Sequence, residues 1–246
     1  MMTEQIPKGM SKQVQTVSPV RRRILKFVPL LLLTGCDLAL GGKTESFLRM
    51  FQSVNDWLQA RVFDPAKAAP EYDEAECTPE EGFRVNDYDT DEPDIDMPNW
   101  RLTVQGLVEK PGEYTIEQIR SLPKRSMNTR HCCVEGWSMI PKWGGTPLKE
   151  FLQMAGADAT AKYVRVECGD DYYTSFDMPS VLHPQTLLCY EAYGKPLTLQ
   201  HGAPARIVMP TKLGYKSAKW IHTIEITNEK PGGYWEDQGY DWFAGL

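Results

Sequence analysis

The strongest constraint on this fold is punctuation. Eighteen prolines and nineteen glycines divide the 246 residues into short stretches. Neither residue suits the interior of a long helix or a central strand. A helix bundle is therefore disfavoured, and a loop-rich fold containing strands is expected. Residues 100–108, 162–168, 187–192, 205–209 and 220–227 have strand composition. Residues 115–122 read as a short helix, with Thr115 as its N-cap and Glu117 in its first turn. Thr146 is expected to cap a helix running from Pro147 to about Met154. A further short helix or turn is expected near residues 179–183, and Lys195-Pro196 marks a turn. No βαβ alternation or internal repeat is visible. The expectation is an α+β protein with short strands and long connections.

The N-terminus reads as a targeting segment. Arg21-Arg22-Arg23-Ile24-Leu25-Lys26 precedes an apolar run over 27–33, too short to span a bilayer. The arginine pair resembles a twin-arginine export motif. Leu33-Thr34-Gly35-Cys36 resembles a bacterial lipobox, with Cys36 as the lipidated first mature residue; an ordinary cleaved signal is the alternative. Residues 1–35 hold six Lys/Arg and one acid, which leaves 21 basic and 32 acidic side chains, a net charge of −11. So acidic a mature chain is not expected to bind nucleic acid. Phe47, Phe51, Val54, Trp57 and Leu58 lie at helical spacing, so residues 37–60 suggest a short amphipathic helix. Residues 64–98, rich in Pro, Asp and Glu, read as an extended acidic segment on the surface.

Two segments carry the chemistry. Residues 130–143 read Arg-His-Cys-Cys-Val-Glu-Gly-Trp-Ser-Met-Ile-Pro-Lys-Trp, expected as a strand leading into a loop. A thiolate is both a nucleophile and a ligand for soft metals. The six cysteines (Cys36, Cys77, Cys132, Cys133, Cys168 and Cys189) have no spacing that completes a zinc framework. The second segment, residues 206–219, holds Arg206, Lys212, Lys216 and Lys219 and no acid. With Gly214 and Ser217, that cationic island suits a phosphate or another polyanion; a solvated basic loop is the alternative.

Several blocks together resemble one family. They are Cys133-Val-Glu-Gly-Trp-Ser-Met, Trp143-x-Gly145, His183-Pro-Gln-Thr, Tyr193-Gly-Lys-Pro-Leu, His201-Gly-Ala-Pro-Ala-Arg206 and Lys212-Leu-Gly-Tyr-Lys-Ser-Ala-Lys219-Trp. In this order they resemble the molybdopterin-dependent oxidoreductases of the sulfite oxidase fold. The nearest branch is the haem-free catalytic subunit of periplasmic methionine-sulfoxide reductase. The resemblance implies an α+β fold with mixed sheets and a molybdenum–molybdopterin cofactor. It implies Cys133 as the metal ligand and Cys132 as its neighbour, with a vicinal disulfide as the rival. It implies Arg206, Lys216, Ser217, Ala218 and Lys219 around the phosphate end. His201 stands where that branch has an asparagine, and Cys168 where it has a threonine. Asn86, Tyr88 and Asp89 fall near a further cofactor-touching segment. Glu135 is a candidate proton donor, since burial would raise its pKa, or equally only an acceptor of backbone hydrogen bonds. Trp137 and Trp143 are candidates for the metal's surroundings or for core packing. His131 and His222 are expected to be structural, and residues 171–175 to line the pocket mouth or form a plain turn and strand.

The implied organisation is a signal over 1–35, a lipid-anchored extension over 36–82, the molybdopterin domain over 83–230 and an aromatic tail over 231–246 packed on it. Sulfite oxidases carry an arginine shortly after the ligand cysteine, where this chain has Glu135-Gly136-Trp137. The function expected is two-electron reduction of a small or protein-bound S-oxide or N-oxide. Electrons are expected from a membrane haem or quinol donor on the periplasmic side of the cytoplasmic membrane. The alternatives are a lipoprotein that binds an anionic ligand, a thiol–disulfide enzyme and a sulfite-oxidising enzyme.

Overall fold

The computed structural model describes residues 43–86 and 92–246, with side chains from Met50 onward. The chain divides into two compact units, Met1–Phe47 and Leu48–Leu246; the fold and the site lie in the second. Cys36, the expected lipidation site, and Tyr88 and Asp89 fall outside the described residues.

Two five-stranded sheets and a hairpin organise the unit. The first sheet has the order β2-β1-β12-β7-β8, from β1 (Leu102–Gly106), β2 (Gly112–Tyr114), β7 (Tyr163–Cys168), β8 (Tyr173–Asp177) and β12 (Ile221–Thr227). β1 pairs in parallel with β12, and its other neighbours are antiparallel, so the sheet is mixed. The second sheet runs β10-β9-β6-β3, with β11 also paired to β9. Its strands are β3 (Arg125–Asn128), β6 (Lys142–Pro147), β9 (Leu187–Ala192), β10 (Lys195–Pro196) and β11 (Arg206–Val208). The hairpin joins β4 (His131–Cys132) to β5 (Ser138–Met139).

The alternation in the sequence explains the burial. In β7, Val164, Val166 and Cys168 are buried while Tyr163, Arg165 and Glu167 are partly exposed. β9 is buried almost throughout, because both its faces are covered. Leu188 and Tyr190 join the main core, and Leu187 and Cys189 a smaller cluster with Trp143 and Val208. Helix α3 (Leu148–Ala155) adds Leu148, Phe151 and Leu152 to the main core, each contributing roughly 1.5–3 kcal/mol by burial. Helix α2 (Ile116–Arg120) has Thr115 as its cap, with the Thr115 hydroxyl accepting from Gln118 N. A third short helix, α4 (Met178–Val181), is capped by Asp177.

Three local expectations are corrected. Pro147, not Thr146, is the N-cap residue of α3. Thr146 stays in β6, where its hydroxyl donates to Ile119 O at 3.0 Å. Lys195-Pro196 begins β10, and the turn lies just before it at Tyr193 and Gly194, with φ of 53° and 74°. Such left-handed pairs match the twist of a two-residue hairpin. Residues 130–143 form a hairpin and the start of β6 rather than one strand and a loop.

Helix α1 (Lys43–Val62) is amphipathic, but it packs by its polar side. Gln52 donates to Tyr240 O, Asn55 and Gln59 bond the Asp241 carboxylate, and Asp56 accepts from Lys230 and Phe243 N. Met50, Val54, Trp57, Leu58 and Val62 are each more than half exposed.

Candidate active site

A cleft of about 220 Å³ opens where the hairpin, residues 84–86, the segment 200–219 and the C-terminal tail meet. Cys133 follows β4 and begins the hairpin turn. Its N–H donates to Trp137 O at 2.9 Å, and Gly136 N donates back to Cys133 O at 3.1 Å. Gly136 has φ 90°, which explains the glycine after Glu135. The Cys133 thiol is half-buried and accepts from Asn86 Nδ2 at 3.8 Å. Burial is the main reason its pKa is raised, partly offset by the backbone N–H of Glu135. Cys132 and Cys133 are both free, so the vicinal disulfide is not formed.

Gly214 brings the basic segment against this hairpin. A Cβ there would lie 2.7 Å from His131 Nε2 and 3.2 Å from Cys132 O. A larger residue would hold the two motifs apart.

Arg206 is the buried cation of the cleft, 7% exposed. Its guanidinium donates to His201 O at 3.0 Å and Ser217 O at 2.8 Å, and lies 5.2 Å from the Trp143 ring centre. Its Nε has no partner, and among the described residues no carboxylate pairs with it. Burial lowers its pKa to about 10, so it remains charged at neutral pH. A buried guanidinium held only by carbonyls is suited to receive an anion. Ser217 and Ala218 line the same wall, and Ile207 N donates to Ala218 O, tying the segment to β11. Lys219 Nζ sits 3.9 Å above the Trp220 ring and donates to Gln200 O. His201 stacks on Phe83 at 3.8 Å and 6°. Its Nε2 faces Phe83 O at 3.2 Å and must donate, so Nδ1 accepts from Thr198 Oγ1. Both ring nitrogens are thus engaged, and His201 offers the cleft mainly a ring face and its surroundings.

Other expected residues are placed elsewhere. Lys216, expected at the cofactor, turns its ammonium away from the cleft to pair with Glu236 of the tail; the two side chains are 1% and 2% exposed. Lys212 is buried over the Phe243 ring, with Asp177 Oδ1 at 3.6 Å. The cationic island is therefore halved at the cleft. Cys168 lies in the main core at 2% exposure and does not line the cleft. Glu135 lines the cleft but is exposed, its carboxylate accepting from Trp137 Nε1 at 2.7 Å. The buried acid expected there is therefore not found. Trp143 is core at 2% exposure, whereas Trp137 is half-buried in the cleft wall. His222 is exposed on β12.

Two cleft-lining positions were not among the expected site residues. His131 was expected to be structural, yet it lines the cleft between Trp137 and Trp143. Burial and then Arg206 push its pKa to about 3, so the ring is neutral. Its place two residues before Cys133 on an extended segment was the available signal, since such residues share a face. Arg84 also lines the cleft, 4.6 Å from the Trp137 ring centre. An arginine thus reaches this region from a different segment. At residues 170–175, Asp170, Asp171 and Tyr172 line the cleft, and β8 begins at Tyr173.

Known proteins resemble this chain. The family model described as oxidoreductase molybdopterin binding domain matches residues 89–235. YedZ1 of Azospira oryzae, which carries the name of a protein-methionine-sulfoxide reductase subunit, is 44% identical over 92% of this chain and 88% of its own. The protein-methionine-sulfoxide reductase catalytic subunit MsrP of Campylobacter jejuni is 36% identical over 56% of this chain and 52% of its own, so the chain spans about half of that relative. Among solved structures, the sulfane dehydrogenase SoxCD of Paracoccus pantotrophus superposes with a TM-score of 0.53 at 26% identity, over 56% of this chain and 40% of that one.

Proposed function

Because the chain belongs to the oxidoreductase molybdopterin binding domain family, and so is a molybdopterin-dependent oxidoreductase of the sulfite-oxidase fold, we propose that it reduces S-oxides, with N-oxides as a second substrate class. In that reaction the oxide takes two electrons and two protons and leaves as the reduced compound and water.

The carrying observation is that one thiol, Cys133, and one buried cation with no carboxylate partner among the described residues, Arg206, open into the same cleft. Among the described residues no group of three His, Cys, Asp or Glu could hold a bare metal. Cys133 thus stands in the cleft as a single soft donor, which fits a metal carried on an organic dithiolene. Arg206, Ser217 and Lys219 would hold the phosphate end, and Asn86 would steady the thiolate. When bound, the cofactor supplies the two-electron redox chemistry. The chain's own contribution is the seat, the neutral His131 beside it and an aromatic wall that limits water.

The protein's setting is the periplasmic side of the cytoplasmic membrane, held by lipid on Cys36 after twin-arginine export. The motifs at Arg21–Arg22 and Leu33–Cys36 support this reading. Electrons come from a membrane haem or quinol donor. A sulfite-oxidising reading draws on Arg84 in the cleft, but that guanidinium is stacked on Trp137, whose N–H binds Glu135.

Metal analysis and turnover test the proposal. Protein from a molybdate-supplied host should hold close to one molybdenum per chain and reduce methionine sulfoxide with an artificial donor. Cys133→Ser should lose most of that activity. A folded, metal-free protein sinks the reading, and turnover of sulfite alone transfers it to the rival. Cys36→Ala should move the protein from the membrane fraction to the soluble periplasm.

A further inference from the structure

We propose that the aromatic tail builds a substrate subsite in the cleft, one that takes the methylsulfinyl end of an uncharged sulfoxide side chain. This deepens the S-oxide reading above and rests on it.

The cleft is chemically two-sided. One side is polar and cationic, around Asn86, Arg206 and Lys219. The other is a run of five rings: Tyr172, Tyr234, Trp235, Tyr240 and Tyr215. Successive centroids lie 5.8, 5.2, 4.9 and 5.8 Å apart. All five line the cleft, and Tyr240 lies beyond the segment matched by the family model. The polar side suits the cofactor's anionic end, whereas the Tyr172 and Tyr215 hydroxyls are engaged by backbone carbonyls and leave ring faces toward the cleft.

The rings are held in place from behind. Tyr172 OH donates to Tyr215 O at 2.6 Å, and Tyr215 OH donates to Asp241 O. Tyr234 N donates to Tyr173 O, and Tyr240 N to Trp235 O. The buried Lys216–Glu236 pair and the bond from Tyr173 OH to Asp237 pin the tail between them. Such a wall is ordered before substrate arrives, so little side-chain freedom is lost on binding.

Ring faces are electron-rich. They favour polarisable sulfur and its methyl groups, and a sulfoxide sulfur carries partial positive charge. The same faces give nothing to a sulfite dianion. The wall therefore selects the methyl and sulfur end of an aliphatic sulfoxide. Methionine sulfoxide meets that chemistry whether free or within a peptide.

The test uses the molybdenum-loaded full chain with four compounds: a peptide containing methionine sulfoxide, free methionine sulfoxide, dimethyl sulfoxide and sulfite. Tyr240→Ala and the more exposed Tyr234→Ala should each raise KM for the sulfoxides about tenfold, the effect of losing one good ring contact. The fall in kcat should stay under threefold, and molybdenum content should hold. Tyr240→Phe should restore the wild-type KM, because the face and not the hydroxyl is used. Calorimetric binding of a peptide containing methionine sulfone should weaken by a similar factor in Tyr240→Ala. A larger KM effect on the peptide than on the free amino acid assigns the subsite to protein-bound substrate, and equal effects assign it to the side chain alone. Unchanged sulfoxide KM and sulfone affinity overturn the subsite while leaving S-oxide reduction intact. A parallel loss of molybdenum and of kcat for every compound also overturns it, as a purely structural role. A loaded wild type silent on every sulfoxide overturns both readings.

Discussion

Removing the charge from Lys216 should destabilise the fold without emptying the site. Its ammonium is 1% exposed, pairs with Glu236 at 2% exposure and donates to Ser175 O at 2.8 Å. Thr174 Oγ1 donates to the same carboxylate at 2.7 Å. Lys216→Met leaves that buried carboxylate with one hydroxyl donor and no cation. Breaking a buried pair from one side costs about 3–5 kcal/mol, because the remaining charge is uncompensated. At roughly 2–4 °C per kcal/mol for a chain of this size, the melting temperature should fall by about 6–20 °C. The double variant Lys216→Met/Glu236→Leu removes both charges and should recover most of that loss. The assay is a double-mutant cycle by urea and thermal unfolding, with molybdenum measured in each variant. A coupling energy below about 0.5 kcal/mol would refute the pairing. A stable double variant that has lost its molybdenum would return Lys216 to the cofactor role implied by the family resemblance.

Arg206→Met should weaken cofactor retention by tenfold or more, on the scale of a charged hydrogen bond of about 1.5–3 kcal/mol, read as molybdenum per chain after gel filtration; undiminished content would remove its phosphate role. Lys212 titrates near 7 in the fold, through burial opposed by Asp177, against about 10.4 when unfolded. Between those values the unfolded chain holds the extra proton, so stability should rise with pH, by up to about 1.4 kcal/mol per unit from this group. Urea unfolding at about pH 7.5 and about pH 9, both inside that window, should show the rise in the wild type and its loss in Lys212→Met. Gly214→Ala would press a methyl against His131 Nε2 at 2.7 Å. It should cost about 1–3 kcal/mol and lower molybdenum content, and a neutral result would show that the two motifs need not touch.

What was legible in the sequence is what local physics decides. β7 declares itself through Val164, Val166 and Cys168 on alternate positions, and α2 through the Thr115 cap. Cys133 and Arg206 were also legible, because their surrounding blocks resemble a known family and the structure brings them to one cleft. The misplaced residues depend on partners far along the chain. Lys216 and Lys212 looked like one cationic island with Arg206 and Lys219 until Glu236 and Phe243 folded back and took two of the four. A proton-donor role for Glu135 needed burial, but the hairpin turn leaves it exposed at the cleft, bonded to Trp137. Cys168 followed its strand's alternation into the core. His131 was undervalued although its spacing of two from Cys133 on an extended segment puts both on one face, the face that lines the cleft.

The polar side of α1 has a kinetic consequence. Gln52, Asn55 and Gln59 clasp Tyr240 and Asp241 across separations of 182 to 188 residues, through hydrogen bonds near the surface rather than through packed apolar contacts. Hydrogen bonds so close to solvent open at lower free energy than those between core strands. Amide exchange at Tyr240 should therefore outpace exchange in β7 and β12. Tyr240 at the rim is then less protected than the tail behind it, where Trp242 and Phe243, 8% and 2% exposed, and the Lys216–Glu236 pair keep the ring wall seated.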